Sequence, residues 1–282
     1  MRINDPFPIL GIKEFNDQQQ ADDSLLYHEL HGERIIEKPH KHDFFIFLLF
    51  EKGSGVHAID FIDYKVKNHQ MHLLFPGQVH SWHLGKNTSG YQLMISRPIF
   101  ETFSDSLSFS FILHQHHPVI DLPGQVFQKL LYEFLAVKEE LSQKPVQWGV
   151  VNLRIRLIAQ FIYREAEKKF KELEVYLTKP ILYKYHTLVD LYFKEQKSVA
   201  FYASQLHITP NYLNILCKRH FHVPAMFLIQ NRTILEAKRL MKASDQSVKE
   251  IAYELGFSDL AYFSNFFKSQ TGLSPRDFRE RL

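Results

Sequence analysis

Cysteine is almost missing from this 282-residue chain: Cys217 stands alone, so no disulfide can form within it. Long apolar runs are missing too. The longest is Phe44 to Phe50, far short of the ~20 residues that cross a bilayer as a helix. Met1 to Leu10 has no basic stretch leading into an apolar one and is broken by Asn4, Asp5, Pro6 and Pro8, so no secretory signal is expected. These absences point to a cytoplasmic protein without a membrane span. Neither charge sign is scarce. With 45% hydrophobic and 23% charged residues, the chain can bury a core, and disorder is not expected.

The charge is unevenly spread. Residues 180–282 carry 14 Lys+Arg against 9 Asp+Glu, which leaves 20 against 22 for residues 1–179. A basic C-terminal part is a weak footprint of nucleic-acid binding. Histidine leans the other way, with 12 of 16 before residue 118.

Up to about residue 120 the chain reads as short strands, at Phe44 to Phe50, Met71 to Phe75 and Tyr91 to Ile95. Val56 and Ala58, then Tyr64 and Val66, sit in short alternating stretches. Gly53-Ser54-Gly55 and Pro76-Gly77 supply turns, and the spacing suggests a β barrel or sandwich. From Asp121-Leu122-Pro123-Gly124 onward the period changes. Apolar residues at 126, 127, 130, 131, 134 and 135 predict one helix face. After Pro145 a second helix is predicted from about Val146 to Leu173. Its apolar face either closes the barrel or pairs with a second subunit, and its charged end reads as a solvated face.

The last hundred residues read as all helical, and Ser198 to Val223 is repeated in Ser247 to Leu273. In the second copy Ser247 and Glu250 form a capping box. Val248, Ile251, Ala252 and Leu255 make one buried stripe. Gly256 permits a sharp turn, Phe257 plugs it, and Ser258 or Asp259 caps a second helix. That helix buries Phe263, Phe266 and Phe267 and ends at Gly272, before a short helix begun by Ser274-Pro275. In the first copy Ser198, Val199, Tyr202, Ala203 and Leu206 repeat the plan. His207 replaces Gly256, Ile208 replaces Phe257, and Thr209-Pro210 opens a helix with Leu213, Leu216 and Cys217 inward. His222 replaces Gly272. A single helix from Ala225 to Lys242, about 27 Å long at 1.5 Å per residue, joins the copies.

Two helix-turn-helix units on a stiff rod can enter successive major grooves, ~34 Å apart, of double-stranded DNA. Base readers are expected on the outer faces of the second helices: Asn211, Asn214 and Ile215, then Ala261, Ser264 and Asn265. Thr209, Lys218, Arg219, Ser258 and Lys268 are expected at phosphates.

These motifs resemble the AraC/XylS family of regulators. The similarity lies in Lys249 to Asp259, Tyr262 to Lys268, Thr271 to Arg279, and the linker pattern Asn231-Arg232 with Ala237 to Met241. The resemblance covers about residues 180–282. It implies promoter DNA as the partner and control of transcription, often as an activator working through RNA polymerase. The first unit departs from the family where Cys217 and His222 replace the usual Phe and Gly, and where Ile215 replaces a polar reader. The N-terminal part resembles the cupin-like effector domain of such regulators at Pro39 to Phe45, Gly53 to Gly55 and Phe75 to His80. That implies a small-molecule effector inside the barrel and a homodimer contact on the helices that follow.

The expected fold class is multidomain α+β. It has a cupin-like β barrel over 1–120, a helical dimerisation segment over 121–178, and an all-α DNA-binding domain over 179–282. His40, His42, Phe45, His80 and Trp82 are the expected effector pocket. His40 and His42 would project to one face, where His80 could complete a facial metal site. Cupin enzymes add a carboxylate a few residues after the histidine pair, and here that stretch, Phe44 to Phe50, holds none before Glu51. No metal and no cofactor are therefore expected, and histidines hydrogen-bonded at a barrel mouth are the plainer reading. A metal-dependent cupin oxygenase or isomerase with a DNA-binding tail is the alternative function. The run His114 to His117 reads as an exposed loop.

Overall fold

The computed structural model describes residues 12, 24–104, 117–170 and 172–280. Met1 to Leu10 and His114 to His116, both singled out above, lie outside the described residues. The chain divides into compact units, Pro8–Lys171 and, beyond it, Glu172–Leu282.

The first unit is a pair of antiparallel sheets. Its strands are β1 (Leu25–His31), β2 (Arg34–His40), β3 (Phe45–Lys52), β4 (Gly55–Ile59), β5 (Ile62–Lys65), β6 (Gln70–Leu74), β7 (His80–Leu84), β8 (Ser89–Ile95) and β9 (Val119–Asp121). One sheet runs β1-β8-β3-β6-β9 and the other β2-β7-β4-β5. Strand β3 lies between β8 and β6, which explains its unbroken apolar run. Phe44, Ile46, Leu48 and Phe50 pack between the sheets with Ile59, Trp82 and Leu84. Phe45 and Phe47 lie on the opposite face against Phe100 of α1 (Arg97–Ser104), with ring centroids 4.1 and 6.5 Å apart. A strand buried on both faces carries no alternation.

The alternation expected in β4 is inverted. Val56 is exposed and Ala58 half-buried, while His57 and Ile59 are buried. Because side chains alternate with period two, a one-residue error in parity exchanges the whole inward set. Strands β1, β2, β7 and β9 were not anticipated. Strand β2, Arg-Ile-Ile-Glu-Lys-Pro-His, is mostly solvent-facing and lacks an apolar pattern.

Two helices complete this unit. Helix α2 (Gly124–Ser142) buries Phe127, Leu130, Phe134 and Val137, and α3 (Trp148–Lys169) buries Val151, Ile155, Ile158 and Ile162. The predicted stripe of α2 is shifted, since Leu135 is exposed and Val137 takes the inward place. Arg154 clamps the pair, 3.1 Å from Glu133 and 3.4 Å from Glu140.

The second unit is helical: α4 (Glu172–Thr178), α5 (Pro180–Tyr192), α6 (Val199–Gln205), α7 (Pro210–Phe221), α8 (Ala225–Ala243), α9 (Val248–Glu254), α10 (Leu260–Thr271) and α11 (Pro275–Glu280). Thus α2 and α3 fall in the first unit and α4 in the second. The capping box of Ser247 and Glu250 is present in both directions, 3.2 and 2.7 Å. Ser198, Thr209 and Asp259 cap α6, α7 and α10. The turn of the second copy is one residue longer, so Asp259, rather than Ser258, holds the place of Thr209. His207 and Gly256 both take a positive φ, 54 and 78°, and so do the helix-ending His222 and Gly272, 59 and 77°.

One core runs through both copies, from Tyr185, Tyr202, Leu213 and Cys217 through Ile229, Ala237 and Leu240 of α8 to Ile251, Phe257, Phe263 and Phe267. Ion pairs bind it from outside: Arg232 to Asp190 at 2.7 Å and to Glu236 at 2.9 Å, and Lys194 to Glu254 at 2.8 Å. The rod of α8 is thus packed along its length into a shared core, and the two helix-turn-helix units cannot swing independently.

Candidate nucleic-acid interface and barrel site

Helices α7 and α10 lead with their N-terminal turns out of the shared core. On α7, Asn211 and Ile215 are exposed, with Lys218 and Arg219 further along; on α10, Ala261, Asn265 and Lys268 are exposed and Ser264 half-buried. Thr209 and Ser258 are exposed at the helix starts. Tyr212 and Tyr262, 48% and 64% exposed, join these faces at matching places and escaped the sequence reading. They follow the capping residues by three, and an aromatic in a core-seeking pattern reads as buried.

Asn214 departs from expectation. It is half-buried, and its Oδ1 accepts the Ala225 backbone N–H at 3.0 Å. Helix α8 opens after Pro224, which has no capping side chain, so its first N–H needs an acceptor from elsewhere. Asn214 is a structural cap and leaves the outward set. Asn214→Ala should therefore cost about 1 kcal/mol of stability, read as a lowered urea midpoint, while sequence preference on DNA stays as it was. A relaxed preference with unchanged stability would reverse this assignment.

The barrel holds a chain of imidazoles. His42 Nε2 lies 2.7 Å from His80 Nε2, His80 Nδ1 lies 3.0 Å from His57 Nε2, and His57 Nδ1 lies 3.0 Å from His72 Nδ1. His72 Nε2 is 3.2 Å from Gln70 Oε1, and Gln70 Nε2 donates to Asp121 Oδ1 at 2.7 Å. Lys169 closes the chain on Asp121 Oδ2 at 2.7 Å. His57 and His72 come from different sheets, so the chain crosses the core. Sequence reasoning missed both; the inverted parity of β4 hid His57, and His72 stood inside an apolar strand.

Burial disfavours the charged form of each ring. It pushes His42 and His72 down to about 3, and His57 and His80 well below the ordinary value; neighbouring histidines add to the effect at His42, His57 and His80. With every ring neutral, the carboxylate fixes the direction of each bond, because Asp121 only accepts. Gln70 gives its N–H to Asp121, so its Oε1 accepts from His72 Nε2. His72 Nδ1 then accepts from His57, and His57 Nε2 accepts from His80 Nδ1. His80 Nε2 is left with a lone pair facing His42.

Of the expected pocket, His40, His42, His80 and Trp82 come together: His40 and His80 are 4.4 Å apart by ring centroid, and Trp82 sits edge-on to His80 at 5.7 Å. Phe45 does not join them. It faces α1, and the aromatic that touches His42 is Phe44, 4.6 Å away. His117, the described member of the histidine run, stacks on Phe170 at 3.9 Å.

Two families match the chain: residues 24–145 match the AraC-like ligand binding domain, and residues 202–281 match a helix-turn-helix domain. The chain is 26% identical over 255 residues to the uncharacterized HTH-type transcriptional regulator YfiF of Bacillus subtilis, covering 85% of this chain and 78% of YfiF. It is 23% identical over 267 residues to the HTH-type transcriptional activator RhaS of Salmonella arizonae, covering 86% and 87%. Among solved structures, ToxT of Vibrio cholerae O395 is 16% identical with a TM-score of 0.44, covering 92% of this chain and 98% of ToxT. Among the described residues, no helix is long and apolar enough to cross a membrane. With an AraC-like ligand-binding domain followed by tandem helix-turn-helix units on one core, the chain belongs to the AraC family of transcription regulators.

Proposed function

We propose that this regulator binds promoter DNA by placing α7 and α10 in successive major grooves, as a homodimer acting through RNA polymerase under control of an effector in the barrel. The observation that carries the reading is the pair of exposed helix faces fixed on one core. Asn211, Ile215, Ala261, Ser264 and Asn265 read bases, with Tyr212 and Tyr262 beside them. Thr209, Lys218, Arg219, Ser258 and Lys268 hold phosphates. An apolar stripe on the helix pair supports the dimer: Val150, Leu153 and Leu157 of α3 and Tyr132 and Leu135 of α2 are exposed. The effector must bind the DNA-competent and incompetent arrangements unequally to switch anything.

Two substitutions separate the roles. Asn265→Ala should cost about 1–3 kcal/mol at its own base pair and relax preference there. Lys268→Ala should weaken all duplexes alike and reduce the salt slope by about one. Competition binding against a randomised operator library, run at several salt concentrations, reads both. Unchanged preference in Asn265→Ala would remove that residue from the readers.

A further inference from the structure

The mouth of the histidine chain has the makings of an ion site. His40, His42 and His80 each offer a ring nitrogen, and these atoms all lie within 4.8 Å of one another. A three-nitrogen zinc site has metal–ligand distances of about 2.0–2.1 Å, which places its ligand atoms ~3.4 Å apart. The His42–His80 separation of 2.7 Å must open slightly and His40 must swing inward. His40 is the half-buried member of the three and lies outside the hydrogen-bonded chain of rings, so its movement breaks none of those bonds.

What distinguishes His80 and His40 from buried histidines in general is how their other nitrogens are held. A metal-binding imidazole usually donates its second N–H to an oxygen or another fixed acceptor, which sets the tautomer and raises the basicity of the ligand atom. His80 does this through His57, His72 and Gln70 to the Asp121 carboxylate. The bond directions leave its Nε2 as the acceptor of the His42 Nε2–H bond at 2.7 Å, so His42 gives up that proton when an ion takes the place of the bond. His40 Nδ1 leans on the Lys38 carbonyl at 3.4 Å, which leaves Nε2 as its ligand atom. Among the described residues, Trp82 Nε1 is buried with no acceptor beside this site. A donor left so is what a metal-held water or anion would satisfy.

We propose that His40, His42 and His80 bind a divalent transition-metal ion, and that its occupancy is the signal the barrel passes on. This rests on the reading of the barrel as the effector domain. An all-imidazole set without a carboxylate suits Zn²⁺, Co²⁺ or Ni²⁺ and disfavours Mg²⁺, Ca²⁺ and Mn²⁺. The fourth position stays open for water or an anion.

The test uses the untagged full chain, stripped with a chelator and titrated with Zn²⁺ by calorimetry, with Co²⁺ as a spectroscopic probe. One equivalent should bind per chain. His40→Ala, which leaves the buried chain intact, should weaken binding at least a hundredfold while circular dichroism is unchanged. His57→Gln, which breaks the chain behind His80 without removing a ligand, should weaken it ten- to a hundredfold. Wild-type protein that takes up no Zn²⁺, or uptake undiminished in His40→Ala, would overturn the site. Zn²⁺ should also change duplex affinity at least fivefold, at the low end of allosteric couplings; binding without such a change would overturn its role as the signal. Protein that retains no duplex at low salt either stripped or loaded with Zn²⁺, while still taking up one equivalent of the ion, would instead strike the DNA-binding reading and leave the ion site standing.

Discussion

Gly256→Ala is expected to remove most of the stability of the C-terminal unit, and with it DNA binding. Gly256 sits at φ 78°, where an L side chain already costs roughly 1 kcal/mol. A Cβ there would also stand 1.9 Å from the Lys194 carbonyl oxygen, a backbone atom that cannot rotate aside. That carbonyl is pinned. Lys197 Nζ donates to it at 2.8 Å, to Leu255 O at 2.7 Å, and to the Phe193 carbonyl, and its charge lies over the Phe257 ring. Relieving the clash means pulling the α5–α6 connection away from the turn of the second copy, and so breaking the Lys197 bonds. Conformational penalty and displacement together come to about 3–5 kcal/mol, against a whole-domain stability of about 5–15 kcal/mol. The melting temperature should fall by more than ~10 °C. Gly272→Ala is the internal control. Its φ is 77°, but a Cβ there would meet nothing within 4 Å, so only the conformational cost of roughly 1 kcal/mol applies. Its counterpart in the first copy, His222, carries a side chain in the same conformation. Similar melting temperatures for the two variants would show that contact with Lys194 does not govern the turn.

This comparison marks where local rules suffice. The second copy was legible residue by residue because its signals are local: a capping box, a stripe at helical spacing, a turn glycine and a plug. The first copy was legible by analogy, and His207 shows the analogy to be physical, since it holds the same left-handed turn without being glycine. What failed was decided by tertiary context. Asn214 lies one helical turn from Asn211, a spacing that predicts a shared face, but the needs of a helix eleven residues away claim its side chain. Phe44 and Phe45 are adjacent buried aromatics at the start of a strand buried on both sides, so no polarity distinguishes the face toward the histidines from the face toward α1. His57 and His72 could be placed only once the strand register was known, because each reaches its partners across the barrel. Lys169, read as part of a solvated helix end, closes the chain on Asp121 for the same reason.

The barrel unit of the metal-free protein should lose stability steeply in mild acid. His42, His57, His72 and His80 are buried, and burial, reinforced at three of them by neighbouring rings, lowers each in the folded state; His42 and His72 reach about 3. In the unfolded chain each returns to about 6.5. Below that value the unfolded state binds protons that the folded state does not, so stability is full above about pH 7 and falls as pH falls toward the folded values. Between pH 7.5 and 5.5 each ring costs roughly 1.4 kcal/mol, and four together on the order of 5 kcal/mol. The loss should fall on the first unit. Both tryptophans, Trp82 and Trp148, lie within Pro8–Lys171, so their fluorescence follows that unit alone. Urea midpoints read this way, in the presence of chelator, should drop sharply across the interval, and His72→Gln should flatten the dependence by about one proton. A midpoint that stays level from pH 7.5 to 5.5 would mean that the chain already carries charge in the folded state. The tautomers deduced from Asp121, and the lone pair they assign to His80, would then be wrong.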